Sequence, residues 1–237
     1  MTVAVIIPTL NEAGLIEATL LLTARLGFDD IIVVDGGSTD GTTALVDSVI
    51  ARMANSVSAS VRLISSESGR ARQLNAGAAV ATADVLLFLH ADCHLPAQAK
   101  QRVEEALAAP VVVGGRFDVR FDRPSLWGQV ISTFMNIRSR FSRISTGDQA
   151  IFVRRQIFEQ LGGFSDIPIM EDIDFSRRLK RAGDTAAIRE RVTTSFRRWE
   201  RQGPLRTILL MWSLRFLYWM GVSPRRLAHF YAAVREI

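Results

Sequence analysis

The first hundred or so residues alternate short apolar runs with amphipathic stretches. Residues 3–7, 31–35, 61–65 and 85–90 are rich in Val, Ile and Leu, and a Pro, a Gly or polar residues follow each run. They predict strands that are apolar, and hence covered, on both faces: a mostly parallel sheet with helices on either side. The stretches 13–25, 42–53, 70–81 and 97–108 predict those helices, with Asn11 as a candidate N-cap of the first. Beyond residue 110 the pattern is less regular. Residues 111–121 read as a strand broken at Gly114-Gly115, 125–140 as a helix, 150–153 as a short strand and 171–182 as a helix. After Trp199 come two apolar, arginine-bearing helices, 205–220 and 224–235. Without repeats or a low-complexity linker, the simplest partition is an α/β domain over 1–200 with a helical extension over 201–237.

With 48% apolar residues in a chain of 237, a full core is expected and disorder is not. The single cysteine, Cys93, excludes an internal disulfide and a zinc site built from several cysteines. The opening MTVAVIIPTLNE lacks the basic n-region and cleavage site of a secretion signal. No apolar run reaches the ~18 residues of a membrane span. A cytoplasmic location is expected.

Charge changes the picture at one end. The net charge is +5, but from residue 186 onward ten Arg face three Glu, a local +7, so the first 185 residues sum to −2. Such an end suits nucleic acid, anionic lipid or phosphate-bearing substrates. Trp199, Trp212, Phe216, Tyr218 and Trp219 lie among these arginines, and bases could stack on them. Helix 205–220, however, is apolar nearly all round except at Arg206 and Arg215, and such a helix seeks protein or lipid. The expectation is therefore no nucleic acid, and peripheral contact with the cytoplasmic membrane face or a homodimer contact through 205–220. A helix packed against its own domain is the plainer alternative.

In open α/β sheets ligands bind beyond the carboxyl ends of the strands. Those ends carry Pro8-Thr9-Leu10-Asn11-Glu12, then Asp35-Gly36-Gly37-Ser38-Thr39-Asp40-Gly41, then the approach to Arg70 and Asn75-Ala76-Gly77, then His90-Ala91-Asp92-Cys93-His94. Neither the dinucleotide-binding glycine pattern nor the P-loop is present. Asp35 could accept hydrogen bonds from a base or ribose, or Gly36-Gly37 could only turn the chain while Asp40 caps the next helix. His90, Asp92 and His94 would share a face if the strand continued, and a carboxylate at a strand end can hold a divalent cation against a diphosphate. The turn signalled by Pro96 could send His94 elsewhere. Glu171, Asp172 and Asp174 open a helix, where the macrodipole favours acids; the alternative is a general base for an acceptor hydroxyl.

Taken in order, VAVIIPTLNE, IIVVDGGSTDGT, Arg70 with Asn75-x-Gly77, LFLHADCHLP, and Gly162-Gly163-Phe164 followed by EDIDF resemble the family 2 glycosyltransferases of the GT-A fold, over roughly residues 2–200. In detail the chain resembles a small bacterial subgroup labelled arsenosugar-biosynthesis glycosyltransferases, with HAD at the metal motif and RRWERQG near the C-terminus. The resemblance implies that Pro8, Thr9, Glu12, Asp35 and Ser38 hold the nucleoside of a UDP- or GDP-linked sugar, and that Arg70, Ala91 and Asp92 meet the rest of the donor. It implies that Asp92 binds Mn²⁺ or Mg²⁺, that Asp172 is the catalytic base, and that Gly163, Phe164, Glu171, Arg198 and Trp199 lie toward an unidentified acceptor. His90 stands where many relatives have Asp, and as a ligand it would favour Mn²⁺. The implied reaction is metal-dependent inverting transfer to a hydroxyl or a lipid phosphate. A sugar nucleotidyltransferase is the alternative enzyme, although PTLNEAG is a poor loop for it. A non-catalytic nucleotide-sugar binding protein is the alternative without chemistry.

Overall fold

The structure, a computed structural model, describes residues 1–54 and 59–235, leaving out the side chains of Arg198 and residues 232–235. Its strands are β1 (Val3–Thr9), β2 (Asp30–Asp35), β3 (Ser60–Ser65), β4 (Val85–Phe88), β5 (Cys93–His94), β6 (Val112–Phe121), β7 (Phe152–Arg154) and β8 (Asp184–Thr194). Its helices are α1 (Ile16–Ala24), α2 (Thr42–Met53), α3 (Arg70–Val80), α4 (Ala99–Ala106), α5 (Leu126–Ser142), α6 (Arg155–Gln160), α7 (Glu171–Ala182), α8 (Arg197–Gln202), α9 (Pro204–Trp219) and α10 (Pro224–Arg235), with a 3-10 turn at Gly147–Gln149.

One sheet runs in the order β3-β2-β1-β4-β7-β6-β8-β5. β1 pairs in parallel with β2 and β4, β2 with β3, and β6 with β8; β7 is antiparallel to both neighbours, and β5 to β8. This is the expected mostly parallel α/β architecture. Alternation along β1, β2 and β4 divides the core. Val3, Val5, Ile7, Val33 and Leu87 face α1, α2 and α4, while Ala4, Ile6, Ile32, Val34 and Phe88 face α3, α6 and α7. β3, at the edge, is only half-buried, so the expectation of cover on both faces fails there.

Other local expectations change. Asn11 does not cap α1, which starts at Ile16 after Leu15. Asn11 instead adopts φ +57° and ties two loops, its N–H donating to Ser38 Oγ at 2.9 Å and its Oδ1 accepting from Thr39 N–H at 2.9 Å. Gly114-Gly115 does not interrupt β6. A Cβ on Gly114 would stand 2.5 Å from the Phe152 carbonyl oxygen, and one on Gly115 would stand 2.4 Å from that of Ala186, so the pair lets three strands approach closely. β8, which the apolar pattern did not announce, buries Ile188, Val192 and Thr194 and exposes Asp184, Arg189 and Arg191.

α5 is inverted. Its buried positions include Gly128, Ser132, Asn136 and Ser139, and Asn136 clamps β6 by accepting from Val119 N–H at 2.8 Å and donating to Val119 O at 3.0 Å. Its exposed apolar positions are Leu126, Trp127, Val130, Phe134, Ile137 and Phe141. α9 and α10 dock through a small cluster of Leu210, Leu214 and Leu227 against Ile169 and Met170, the residues just before α7. The remaining face of α9 exposes Leu205, Leu209, Trp212, Phe216 and Trp219. No helix among the described residues is long and apolar enough to cross a membrane.

Candidate functional site

The carboxyl ends of β1 and β2 lie side by side, with Thr9 in register with Asp35. Asp35 is buried, and both its oxygens are occupied. Oδ2 accepts from Gly37 and Ser38 N–H, both at 2.9 Å, and Oδ1 accepts from Ser38 Oγ at 2.5 Å and Thr9 Oγ1 at 3.3 Å. Burial would raise its pKa, but these donors hold it below the usual carboxylate range. Asp35 thus braces the glycine turn, where Gly37 takes φ +93°. Asp40 accepts from Thr42 N–H at 3.0 Å and Ala13 N–H at 3.1 Å, joining the start of α2 to the loop after β1. Gln73, which sequence reading passed over, is buried and donates to Thr9 O at 2.7 Å and Val34 O at 2.9 Å, satisfying both strand ends. Pro8 is half-buried at the end of β1.

β4 stops at Phe88, and the Cys93 N–H to His90 O bond of 3.0 Å closes a turn. His90, Asp92 and His94 therefore do not share a strand face, and His94 pairs with Thr193 at the far edge of the sheet. His90, Asp92 and Cys93 come together instead, with one potential ligand atom each within 4.8 Å of the others. Cys93 is a poor donor, since burial first, then Asp92 and Asp148, push its thiol well above its ordinary pKa. His90 Nδ1 lies 3.2 Å from Asp148, and a Cβ on Gly147 would fall 2.2 Å from His90 Nε2, so the ring is wedged in the 3-10 turn. Asp92 is half-buried and, among the described residues, accepts only from the Cys93 thiol, at 3.6 Å. Ala91 lies buried beside it, its carbonyl accepting from Thr19 Oγ1 at 2.6 Å. Burial lifts the Glu12 carboxyl above its usual range, and nearby Asp92 lifts it further. A Mg²⁺ or Mn²⁺ ion that takes one or two carboxylates and completes its shell with diphosphate oxygens and water fits this donor set.

α7 supplies the acidic trio. Asp172 Oδ2 accepts from Gly147 N–H at 2.9 Å, and its Oδ1 from Ile173 N–H at 2.7 Å. Glu171 is buried, with Oε1 3.6 Å from Arg70 Nη1. Burial raises the Glu171 carboxyl, Asp172 raises it further, and Arg70 opposes both. The Arg70 side chain is itself 55% exposed; the pull of such burial as it has is outweighed by Glu171, Asp172 and Asp148, which hold the guanidinium above its ordinary value. Asp174 turns away, accepting from Ser165 Oγ and Arg178, both at 2.7 Å. The loop before α7 is pinned to α3 by a reciprocal pair, Asn75 Nδ2 to Phe164 O at 2.8 Å and Phe164 N–H to Asn75 Oδ1 at 2.9 Å. Gly163, at φ +68°, permits this approach, because a Cβ would sit 2.7 Å from Asn75 Oδ1. The Phe164 ring is buried against Phe88, Phe158 and Phe175, so it anchors the turn from within the core.

Neighbour by neighbour, Arg70 meets Glu171, Asp172 meets Gly147, Asp148 meets His90, and His90 stands beside Asp92, whose charge reaches Glu12. Asp148 and Gly147 were missed, although the Thr146-x-x-Gln149 capping box around them is a readable signal. Trp199 packs edge-on to Phe121 at 5.9 Å, and Arg197 reaches within 3.9 Å of Glu12. The Arg198 side chain lies outside the described residues. A separate cavity of about 390 Å³, between residues 95–97 and 189–193, contains none of these groups.

The sequence matches the model of Glycosyl transferase family 2 over residues 4–162. A mannosyltransferase from Pyrobaculum calidifontis, solved with GDP-Man and Mn²⁺, superposes with a TM-score of 0.68 at 21% identity, over 98% of this chain and 69% of that one. Residues 1–349 of S. aureus TarS superpose with a TM-score of 0.62 at 15% identity, over 82% of this chain but only 60% of theirs. The same TarS segment with UDP-GlcNAc gives 0.58 at 17%, over 82% of this chain and 56% of that one. No curated protein matches the sequence.

Proposed function

Since the chain belongs to glycosyl transferase family 2, we propose that it moves a sugar from a nucleoside-diphosphate donor to an acceptor by metal-assisted, inverting displacement. The carrying observation is the line from Asp92 to Asp172, a carboxylate suited to a cation at one end and one held by two N–H groups at the other. The donor class is supported by the GDP-Man and UDP-GlcNAc of the structural neighbours, and Mn²⁺ by the first of them. The loops after β1 and β2, braced by Asp35, Ser38 and Thr9, would form the nucleoside platform, with Pro8 and Glu12 at its rim. Asp92, with His90 beside it, would hold a divalent cation, which when bound neutralises the diphosphate leaving group. Arg70 adds a fixed positive charge near the reacting centre.

Asp172 is the base in this reading. Each oxygen accepts one backbone N–H, which fixes the carboxylate and leaves further lone pairs for an acceptor proton. The neighbouring carboxylates are engaged, Asp148 by His90 and Glu171 by Arg70, so none is placed as a covalent nucleophile, which favours inversion. The test is release of nucleoside diphosphate from a panel of UDP- and GDP-sugars, with Mn²⁺ and with chelator. Metal-dependent release supports the reading. No release from any donor, or pyrophosphate release from a nucleoside triphosphate and a sugar phosphate, would replace it with one of the alternatives.

The apolar faces of α5 and α9 we read as a peripheral contact with an anionic membrane surface. The exposed side chains run at helical spacing on both helices, and the arginine excess of the last fifty or so residues complements anionic lipid.

A further inference from the structure

Two arginines near the site have no part in this scheme. Arg138 lies on α5 and Arg215 on α9, and both feel the charges of Asp172 and Asp148 across space. Among the described residues, Arg138 Nη2 is buried with no hydrogen-bond partner. The other arginines of this region are satisfied by protein. Arg116 bonds Asp118 and donates to Asn136 O at 3.2 Å; Arg140 donates to Asp118 at 2.7 Å and to Ala187 O at 3.1 Å; Arg143 donates to Asp184 and to Gly183 O, both at 3.1 Å. Burial and the nearby Arg215 pull the Arg138 guanidinium down to about 10, and burial lowers Arg215 as well. Holding two partly desolvated like charges together costs stability, and an anion bridging them would offset that cost.

We propose that Arg138 and Arg215 form an anion-binding pocket beside Asp172, and that it takes a phosphate or carboxylate group carried by the acceptor. The assignment to the acceptor rests on the reading of Asp172 as its base, since the donor diphosphate belongs to Asp92 and Arg70. Two guanidiniums can each give paired N–H donors to one oxyanion, which positions as well as attracts it. Neutralising the acceptor's anionic group there would let its hydroxyl approach the Asp172 carboxylate without repulsion.

Sulfate is a suitable oxyanion probe, titrated calorimetrically into the full chain already saturated with Mn²⁺ and a nucleoside diphosphate. Saturable binding is expected on top of the nucleotide. Arg138→Gln and Arg215→Gln should each weaken it about tenfold or more, while nucleotide affinity stays within about twofold and Arg225→Gln, at an exposed position of α10, changes neither. Thermal melting separates a structural role. Arg138→Gln should melt at or above the wild-type temperature, because a guanidinium pulled down to about 10 is one the folded state disfavours when charged. Sulfate that displaces the nucleotide assigns the pocket to the donor and overturns the proposal. Sulfate binding unchanged in both variants, or a lower melting temperature for Arg138→Gln, overturns it too. Absence of nucleotide binding in the wild type would instead defeat the donor reading itself.

Discussion

Asp172 and Glu171 are adjacent carboxylates in opposite circumstances. Asp172 is half-buried and held by Gly147 and Ile173 N–H, whereas Glu171 is buried against Arg70 with its pKa raised. Access favours Asp172 as the base, although a raised pKa would suit Glu171 to the same task. Asp172→Asn should therefore slow transfer by roughly 10²–10⁴-fold while nucleotide affinity by calorimetry stays near wild type. If Glu171→Gln shows that loss and Asp172→Asn does not, the base is one residue earlier. Gly147 matters because it is the contact point of two site residues, donating to Asp172 and lying under the His90 ring. In Gly147→Ala the new methyl would meet His90 Nε2 at 2.2 Å, so the ring must leave Asp148. A loss of transfer with little change in melting temperature is expected, and wild-type turnover would remove this turn from the site. Asp35→Ala should act on stability as well as binding, since four donors lose one buried acceptor; about 2 kcal/mol or more by urea unfolding is expected.

At the scale of the element, α5 contradicts the usual rule that a helix buries its apolar stripe. Asn136 and Ser139 face inward because β6 and Gln149 offer them hydrogen bonds, while Ser132 donates to Gln129 O within the helix, and Leu126, Phe134 and Phe141 are left at 81%, 64% and 87% exposure. α9 adds Leu209 and Trp219, each at 68%. Aromatic and aliphatic groups in such rows fit the interfacial region of a bilayer. Sedimentation with anionic vesicles is expected for the wild type, and Phe134→Ser with Trp212→Ser should abolish it without lowering the melting temperature. A clean monomer that ignores the vesicles would sink this reading, and a detergent-sensitive dimer would point to a second copy of the chain as the partner.

For the whole molecule, the parallel strands bring the loops after β1, β2 and β4 together beside the start of α3, and α7 and the Gly147–Gln149 turn come to them from the second half of the chain. A nucleoside diphosphate with Mn²⁺ at ~100 times its dissociation constant should stabilise the fold by about 2.7 kcal/mol, a rise of roughly 5–10 °C in melting temperature for a domain of this size. Chelation or Asp92→Ala should remove the metal-dependent part of that rise, and His90→Ala less of it, because its ring already leans on Asp148. An unchanged rise in Asp92→Ala would take Asp92 out of the metal site.

The parallel half of the sheet, its helices and the loops holding Thr9, Asp35, Arg70 and Asp92 were legible in the sequence because they are local. A strand buried on both faces must be apolar throughout, and a glycine turn after it is written in consecutive residues. β8 was not legible, since its few apolar residues are spaced among charges and it becomes a strand only by pairing with β6 and β5. The partnership of His90 with Asp148 and of Asp172 with Gly147 joins residues 58 and 25 positions apart, a distance that no periodicity spans. Nor could the pattern show which face of α5 turns inward, because hydrophobicity reports a tendency to leave water and not which neighbour is there to receive it. The arginines followed the same rule: sequence supplied their charge, and only the tertiary structure decided that, among the described residues, Arg138 would bury Nη2 without a hydrogen bond and that Asp172 would act on it and on Arg215.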